Sequence, residues 1–151
     1  MGFRVVPAAY VLLIDGDGRV LLQLRAGTGY RDGFWAAAAA GHVEAGETFR
    51  ECCVREIEEE LELTVGVGFS IAERPFRPEV EYTAMSGGAK VETRYRVELF
   101  AVELTTAAVA RVNAKPANRW LTPAEIAAGT TTDGQPISAQ VRTVFTLNGV
   151  M

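Results

Sequence analysis

The sequence predicts an α/β protein with a mixed β-sheet that carries helices on both of its sides. Two runs rich in β-forming residues precede a long helical segment, further strand-like runs follow it, and helix signals return in the last third of the chain. Strands and helices that alternate in this way pack as a sheet with helices on its faces. We assign residues 1–151 to a single domain, because the composition shows no break, repeat or linker.

The first two strands are expected to form a hairpin. The tetrapeptide DGDG, which suits a tight turn with positive φ, separates the runs VVPAAYVLLI and RVLLQLR. A Gly-rich loop, GTGYRDG, then leads to FWAAAAA. Alanine prefers helix, but the two aromatic residues and the flanking glycines favour a strand, so we interpret this segment as a short strand.

A long helix is predicted from Glu47 to about Glu62. No Gly or Pro interrupts the segment, acidic residues begin it, and apolar residues recur at helical spacing. At about 100° per residue, one side of this helix is apolar and a neighbouring side is acidic. The apolar side holds Cys53, Val54, Ile57 and Leu61, and the acidic side holds Glu56, Glu59 and Glu60.

The remaining elements follow from local signals. Strands are expected in VGVGFSIAER and VETRYRVELFAVEL, with MSGGAK as the turn before the second of them. The segment TPAEIAAG predicts a short helix, with Thr122 as N-cap, Pro123 at the first position and Gly129 as the stop. The tail, ISAQVRTVFTLN, predicts a last helix. Its inward residues are expected to be Ile137, Val141 and either Val144 or Phe145.

Composition bounds the possible partners. Hydrophobic residues make up 48% of the 151 residues, which is enough to bury a core. The net charge is −4 and the sequence contains no Lys/Arg block, so we expect no nucleic-acid polymer as partner. We expect neither a signal peptide nor a membrane span, and therefore a cytoplasmic location. The adjacent Cys52 and Cys53 are expected to be reduced packing residues, since an ordinary disulfide between sequence neighbours is sterically poor.

The acidic side of the long helix has two interpretations at this point. On an exposed helix, like charges four residues apart cost only about 0.2–0.5 kcal/mol per pair, so simple solvation would explain them. If the same side faces the protein body, converging carboxylates either acquire raised pKa values or hold a divalent cation, which favours oxygen ligands. The helix alone does not decide between these two.

The residues before the helix add a longer pattern. In AGHVEAGETFRECCVREIEEELEL, five residues separate Gly41 from Glu47 and seven more precede Arg55-Glu56-Ile57, which Glu59-Glu60 and Leu63 follow at set spacings. This register resembles the Nudix box, and only its last Gly is replaced, by Glu62. The flanking segments TGYRDGFW, RW and TPAEI are similar to those of the MutT-like branch. The resemblance covers most of the chain.

The resemblance implies a Nudix-type α/β/α sandwich in which a loop-helix-loop motif acts on a pyrophosphate. It implies Glu56, Glu59 and Glu60 as ligands of Mg²⁺, which Mn²⁺ can replace, with the backbone carbonyl of Ala40 as a further ligand. Glu47 would support them, and Arg55 would orient Glu56. Each role has a plainer alternative. Arg55 can be a surface partner of Glu59, and Glu47 can be a first-turn acid that complements the helix dipole.

Substrate contacts are expected from residues around the box. Arg25, Tyr30, Arg31 and His42 are the candidates, since Tyr30 can stack on a base and arginines can bind phosphate. His42 is a weak candidate for the general base, for which Glu56 or a metal-bound hydroxide is the stronger choice. Trp35 and Trp120 are expected in the core. Replacement of the usual Leu-Pro-Gly approach by AAAAAG puts the Ala40 carbonyl in doubt more than the glutamates.

The implied function is Mg²⁺-dependent hydrolysis of a pyrophosphate bond in a nucleoside diphosphate linked to another group. A MutT-like nucleoside triphosphate pyrophosphatase is the leading expectation, with ADP-ribose, nucleotide sugars or dinucleotides as alternative substrates. A Nudix fold that binds nucleotides without cleaving them is the competing class, but such proteins typically lose box glutamates that are present here. The partner is expected to be a small nucleotide, and the protein a monomer or homodimer.

Overall fold

The computed structural model describes residues 3–27, 32–86 and 91–151. Within these ranges, strands and helices follow one another along the chain as β1 Phe3–Leu13, β2 Val20–Leu24, β3 Trp35–Ala37, β4 Gly41–His42, α1 Phe49–Leu61, β5 Phe69–Ile71, β6 Val80–Ser86, β7 Val91–Leu104, α2 Thr106–Asn113, β8 Asn118–Leu121, α3 Pro123–Ala128 and α4 Ala139–Leu147.

The largest sheet is mixed, as predicted. β1 runs parallel to β7 from the pair Phe3–Glu92 to the pair Leu13–Val102. β4 joins β1 antiparallel, and β5 and β6 both join β7 antiparallel. A second sheet has the order β3-β2-β8, with both pairings antiparallel.

Alternate residues of β1 face two different cores, which places helices on both faces of the mixed sheet. One face carries Ala9, Val11 and Leu13, and the other carries Ala8, Tyr10 and Leu12. The first core includes α1 and α2 through Cys52, Cys53, Ile57, Leu61, Ala108 and Val112. The second includes α3 and α4 through Ile126, Val141, Val144 and Phe145. The predicted helix-sheet-helix layering is therefore confirmed.

The predicted hairpin of the first two strands is wrong in its pairing. The turn forms, since the Asp15 carboxylate accepts hydrogen bonds from the backbone N–H groups of Asp17 and Arg19 at 3.0 and 2.8 Å. However, β7 and β4 pair with β1, so β2 joins β3 and β8 in the second sheet. An isolated bridge between Ile14 and Val20 is the contact that remains of the expected hairpin.

The other sequence predictions fared unevenly. The alanine-rich segment forms the three-residue strand β3, and the run after α1 forms only the short β5. The expected MSGGAK turn begins with Met85 and Ser86, which belong to β6, while residues 87–90 lie outside the described ranges. We did not predict β4, β6, β8 or α2. The two C-terminal helices are confirmed, and all four candidate inward residues of the last one are buried.

The helix α1 begins and ends through specific residues. Thr48 accepts a hydrogen bond from the Glu51 backbone N–H at 3.0 Å, and the Glu51 carboxylate accepts one from the Thr48 N–H at 2.9 Å. This capping box satisfies two N–H groups that the first turn would otherwise leave unpaired. Glu62 ends the helix in the left-handed conformation, at φ 55° and ψ 42°. The helix thus includes all three glutamates of the acidic side.

Within residues 3–27, 32–86 and 91–151, no helix has both the length and the apolar character that a bilayer crossing requires.

Candidate active site at the start of helix α1

Arg55 lies at the centre of the site. Its Nε and Nη2 atoms donate to the two carboxylate oxygens of Glu47 at 2.7 and 3.0 Å. Its Nη1 donates to Glu56 Oε1 at 2.9 Å, and Nη2 also donates to the backbone carbonyl of His42 at 3.2 Å. Glu59 Oε2 lies 3.6 Å from Nη1. The guanidinium therefore ties the loop before α1 to two carboxylates on the helix.

The Arg55 network sets the charge of Glu47. The hydrogen bond from Arg55 lowers the pKa of Glu47 to about 2, helped by the backbone N–H of Glu44. Arg55 also forms an ion pair with Glu44, whose Oε1 atom lies 3.3 Å from Arg55 Nε. In return, Glu47 raises the pKa of Arg55 above its ordinary value. The two side chains form a fully charged pair, in which the Glu47 side chain is only 14% exposed.

Glu56 lies against the backbone of Gly41. A Cβ atom built on Gly41 would come within 2.2 Å of Glu56 Oε1 and 2.4 Å of its carboxyl carbon. A side chain at Gly41 would force the Glu56 carboxylate to move, so the absence of a Cβ at Gly41 allows the carboxylate to occupy this position. Gly41 has no positive φ, whereas Gly46, in the same loop, adopts φ 80°. A backbone conformation that favours glycine is therefore used at Gly46 and not at Gly41.

The pKa of Glu56 is raised relative to an ordinary glutamate. Partial burial is the main cause, and the charges of Glu59 and Glu60 add to it, while Arg55 opposes the shift. The Glu56 side chain is 12% exposed, whereas that of Glu59 is 57% exposed. Glu60 is also exposed. The three carboxylates thus lie near enough to repel one another, but the first is packed and the other two face solvent.

The donor set suits a hard divalent cation without forming a closed cage. Across residues 3–27, 32–86 and 91–151, no group of three or more His, Cys, Asp or Glu side chains is arranged to hold a metal ion. Glu56, Glu59 and Glu60 nevertheless provide carboxylate oxygens on one side of a single helix, and Ala40 lines the same cavity as Glu60. Mg²⁺ usually takes one or two protein carboxylates and completes its shell with water and substrate phosphates. The residues fit such an ion, and their assignment as ligands stays a prediction.

A cavity of about 440 Å³ lies beside this acidic side. Its wall includes Glu60, the predicted metal-binding backbone at Ala40, and the predicted substrate residue Arg25. Gln23, Lys115 and Asn118 add polar groups, and Gln23 Nε2 donates to Asn118 Oδ1 at 3.0 Å. The structure therefore brings together three of the predicted site positions at one opening.

Of the other predicted substrate residues, Tyr30 and Arg31 lie outside the described residues. His42 is exposed in β4, and its backbone carbonyl, rather than its ring, contacts Arg55. Trp35 is buried, as predicted, and Trp120 is partly buried against the first core.

The two cysteines are buried and unpaired, which confirms their prediction as reduced packing residues. Cys52 Sγ donates to the backbone carbonyls of Gly41 and His42 at 3.6 and 3.5 Å. Burial raises the pKa of Cys52 to about 12 and raises that of Cys53 as well, so both remain thiols at neutral pH. Cys52 thereby helps to hold the loop that carries Gly41 against α1.

Sequence reasoning missed Lys115, whose Nζ contacts the Glu62 carboxylate at the end of α1. Gln23 and Asn118 were also missed. No local pattern marks these residues. Gln23 comes from β2, Lys115 from the segment between α2 and β8, and Asn118 from the start of β8, so packing alone brings them to the cavity.

Comparison with known proteins identifies similar sequences and folds. Residues 4–141 match the NUDIX domain family. The NAD-capped RNA hydrolase NudC of Mycobacterium tuberculosis is 44% identical over 62 residues, which are 41% of this chain and 19% of that protein. The isopentenyl-diphosphate Delta-isomerase of Jannaschia sp. is 34% identical over 104 residues, which are 68% of this chain and 54% of that protein. The chain thus spans less than two thirds of either relative.

A solved structure confirms the predicted fold. The MutT protein from Methanosarcina mazei Go1 superposes with a TM-score of 0.63 at 18% sequence identity. The alignment covers 97% of this chain and 94% of that one, so the likeness extends over both molecules.

Proposed function

This chain belongs to the Nudix hydrolase family, and on that premise we propose that it is a metal-dependent pyrophosphohydrolase of a small nucleotide. Nudix hydrolases generally use divalent metal ions. The observation that carries the proposal is the Arg55 network, which holds Glu47 and Glu56 in contact with one guanidinium at the position of the Nudix box. Packing these carboxylates close together costs free energy through desolvation and like-charge repulsion. A helix that only exposed its glutamates to solvent would avoid this cost.

The chain's residues have distinct roles in this proposal. Glu56, Glu59 and Glu60, with the Ala40 carbonyl, would hold the divalent ion, for which we propose Mg²⁺, with Mn²⁺ as a substitute. When bound, such an ion neutralises charge on the phosphate oxygens and lowers the pKa of a water molecule. Arg55 orients Glu56, and Glu47 keeps Arg55 in place through its paired hydrogen bonds. Arg25, in the adjacent cavity, supplies positive charge for a substrate phosphate.

We infer that nucleoside triphosphates are the preferred substrates, with cleavage to a nucleoside monophosphate and pyrophosphate. The cavity beside Glu60 contains two cationic side chains, Arg25 and Lys115, which suits a highly charged polyphosphate. A dinucleotide or other nucleoside diphosphate derivative is the second candidate. The 44% identity to the NAD-capped RNA hydrolase NudC over 62 residues favours it.

One screen separates these candidates. The protein is incubated with Mg²⁺ and canonical or oxidised nucleoside triphosphates, ADP-ribose, nucleotide sugars, NAD and NAD-capped RNA, and the products are identified by mass. We expect pyrophosphate release from a triphosphate at the highest kcat/KM. Higher kcat/KM on NAD or its capped RNA would overturn the triphosphate assignment, and the RNA arm also tests the predicted absence of a polymer partner.

A matched pair of variants tests whether the protein is an enzyme at all. Glu59→Gln with Glu60→Gln should lower kcat by about 10³-fold or more, because carboxylate ligands are lost. The free energy of unfolding should change by less than about 0.5 kcal/mol, since both side chains are exposed. Glu58→Gln, on the same helix, is the control and should keep full activity. Absence of metal-dependent turnover from every substrate in the screen would favour the non-catalytic class.

A further inference from the structure

The end of α1 carries an ion pair that the Nudix box does not predict. Glu62 occupies the position of the last box Gly, and its backbone adopts φ 55°, which glycine tolerates and glutamate disfavours. Its carboxylate contacts the Nζ atom of Lys115, which lies 53 residues further along the chain. Residues held in such sparsely populated conformations persist where the surroundings require them, and they cluster at functional sites.

Backbone hydrogen bonds hold the main chain at Lys115, while its side chain is partly exposed and contacts the exposed Glu62 carboxylate. The Lys115 N–H donates to the Val112 carbonyl at 3.3 Å, and the Asn118 N–H donates to the Lys115 carbonyl at 3.0 Å. The Asn118 side chain donates in turn to the Val112 carbonyl at 3.1 Å. By contrast, the Lys115 side chain is 43% exposed. Its ammonium group can therefore change partners without any movement of the main chain.

Lys115 also lines the 440 Å³ cavity beside the proposed metal ligands. Among the residues that the structure describes, the charged side chains of this wall are Arg25, Lys115 and Glu60, so the two cations outnumber the carboxylate. Much of the remaining wall is alanine, including Ala37 and Ala39, which leaves room for a ligand. A polyphosphate would reach Glu60 through the divalent ion that this residue is proposed to hold. With one phosphate bound to that ion, the next phosphates would lie toward the two cations.

We propose that Lys115 is a substrate phosphate-binding residue, and that Glu62 is the partner that holds its ammonium group at the cavity mouth when no substrate is bound. The inference rests on the proposed function. Exposed ion pairs contribute little to stability, so exchange of the Glu62 carboxylate for a phosphate oxygen costs little. The phosphate offers a charge-assisted hydrogen bond in its place. The ligand class is a polyphosphate chain such as that of a nucleoside triphosphate.

Opposite effects of the two partners distinguish this role from a structural one. Lys115→Gln should raise KM for a nucleoside triphosphate by about tenfold with kcat within about twofold, because a charged hydrogen bond to substrate is lost. Glu62→Gln should leave KM equal to or below that of the unmodified protein, since it removes the competing carboxylate. Lys115→Arg should restore most of the affinity. If Lys115→Gln and Glu62→Gln raise KM equally, the pair is structural and the proposal is overturned.

Binding without turnover provides an independent readout. Inorganic tripolyphosphate is titrated calorimetrically into the protein in the presence of Mg²⁺. Its affinity should fall about tenfold in Lys115→Gln and remain unchanged in Arg111→Gln, which removes one exposed positive charge from α2 away from the cavity wall. Equal affinity in all three proteins, or no binding to any, overturns the inference. If Lys115-dependent binding is found and no nucleotide is hydrolysed, the proposed function fails and this inference stands.

Discussion

The middle of α1 and its C-terminal end hold their charged side chains in different ways. We call the region around Arg55 and Glu56 the packed half, and the region from Glu59 to the C-cap Glu62 the exposed half. Near its middle, Arg55 and Glu56 join Glu47 from the preceding loop in hydrogen bonds of 2.7 to 3.0 Å, and their side chains are 25% exposed or less. At its end, the side chains of Glu59 and Glu62 are 57% and 59% exposed. The same residue type is therefore ordered by the protein in one half and left to solvent in the other.

This difference separates positioning from ligand binding. A carboxylate that must exchange water for metal or phosphate gains from exposure, whereas the groups that orient it gain from packing and from several hydrogen bonds. The packed half should therefore be sensitive to changes of shape, and the exposed half to changes of charge. The predictions that follow test this distinction.

Among single substitutions, loss of the guanidinium fork in the packed half should have the largest effect. Arg55→Lys keeps the charge but cannot bind both oxygens of Glu47 while also contacting Glu56, so kcat should fall by about 100-fold. Steady-state hydrolysis with Mg²⁺ measures this. The control is Arg50→Lys, because Arg50 donates to the carbonyls of Ile71 and Ala72 and not to the site. Wild-type turnover in Arg55→Lys would contradict the positioning role.

A single methyl group at Gly41 should come next. Gly41→Ala would place Cβ 2.2 Å from Glu56 Oε1, so the carboxylate must move, and kcat should fall by about tenfold or more. Gly46→Ala is the matched control: its φ is 80° and nothing lies within 4 Å of the added methyl. It should lose about 1 kcal/mol of stability and keep its turnover. If both variants lost activity equally, displacement of the Glu56 carboxylate would not explain the loss in Gly41→Ala.

Acid should weaken the packed half through Glu47. Its pKa is lowered in the folded state from 4.5 to about 2, so its stabilising contribution is present above about pH 5 and is lost as the pH falls toward 2. Urea unfolding at several pH values should show Glu47→Gln to be less stable than the unmodified protein at pH 7. The two should converge near pH 2. A difference that does not depend on pH would contradict the ion-pair explanation.

The smallest effect is expected at the exposed end of α1. Glu62→Gly relieves the left-handed strain and gives up only an exposed ion pair, so the free energy of unfolding should rise by about 1 kcal/mol. Thermal unfolding measures this change. Glu62→Gln keeps the strain and should show no such gain. A destabilised Glu62→Gly protein would mean that the contact with Lys115 contributes more than its exposure indicates.

Local signals predicted the helices of the box and of the C-terminal third well. Thr122, Pro123 and Gly129 bound α3 as expected, because caps and stops act within a few residues. The signals for α2 were weaker, since its one threonine and three alanines carry little helical pattern, although Thr105 does cap it. The strand β6 was missed because its pairing with β7 decides its conformation.

Strand pairing was the main failure of sequence reasoning. The DGDG turn was correctly placed, yet β1 pairs with β7, whose first residue is 78 positions after Leu13. A turn reveals an antiparallel neighbour but not a parallel one. The residues of β1 do not indicate which distant strand will pair with it. The candidate site shares this limit. The role of Gly41 as a contact for Glu56 required both segments to be in place.

The sequence by itself determined the helical register that sets Arg55, Glu56, Glu59 and Glu60 on neighbouring sides of α1, because a helix repeats every 3.6 residues whatever surrounds it. It also determined the family, through spacings within a single segment. Only the tertiary structure decided which of these carboxylates is packed and which is exposed, and that Lys115 meets Glu62 beside the cavity. Burial and long-range contacts depend on how distant segments pack, and the helical periodicity of a single segment carries no information about that packing.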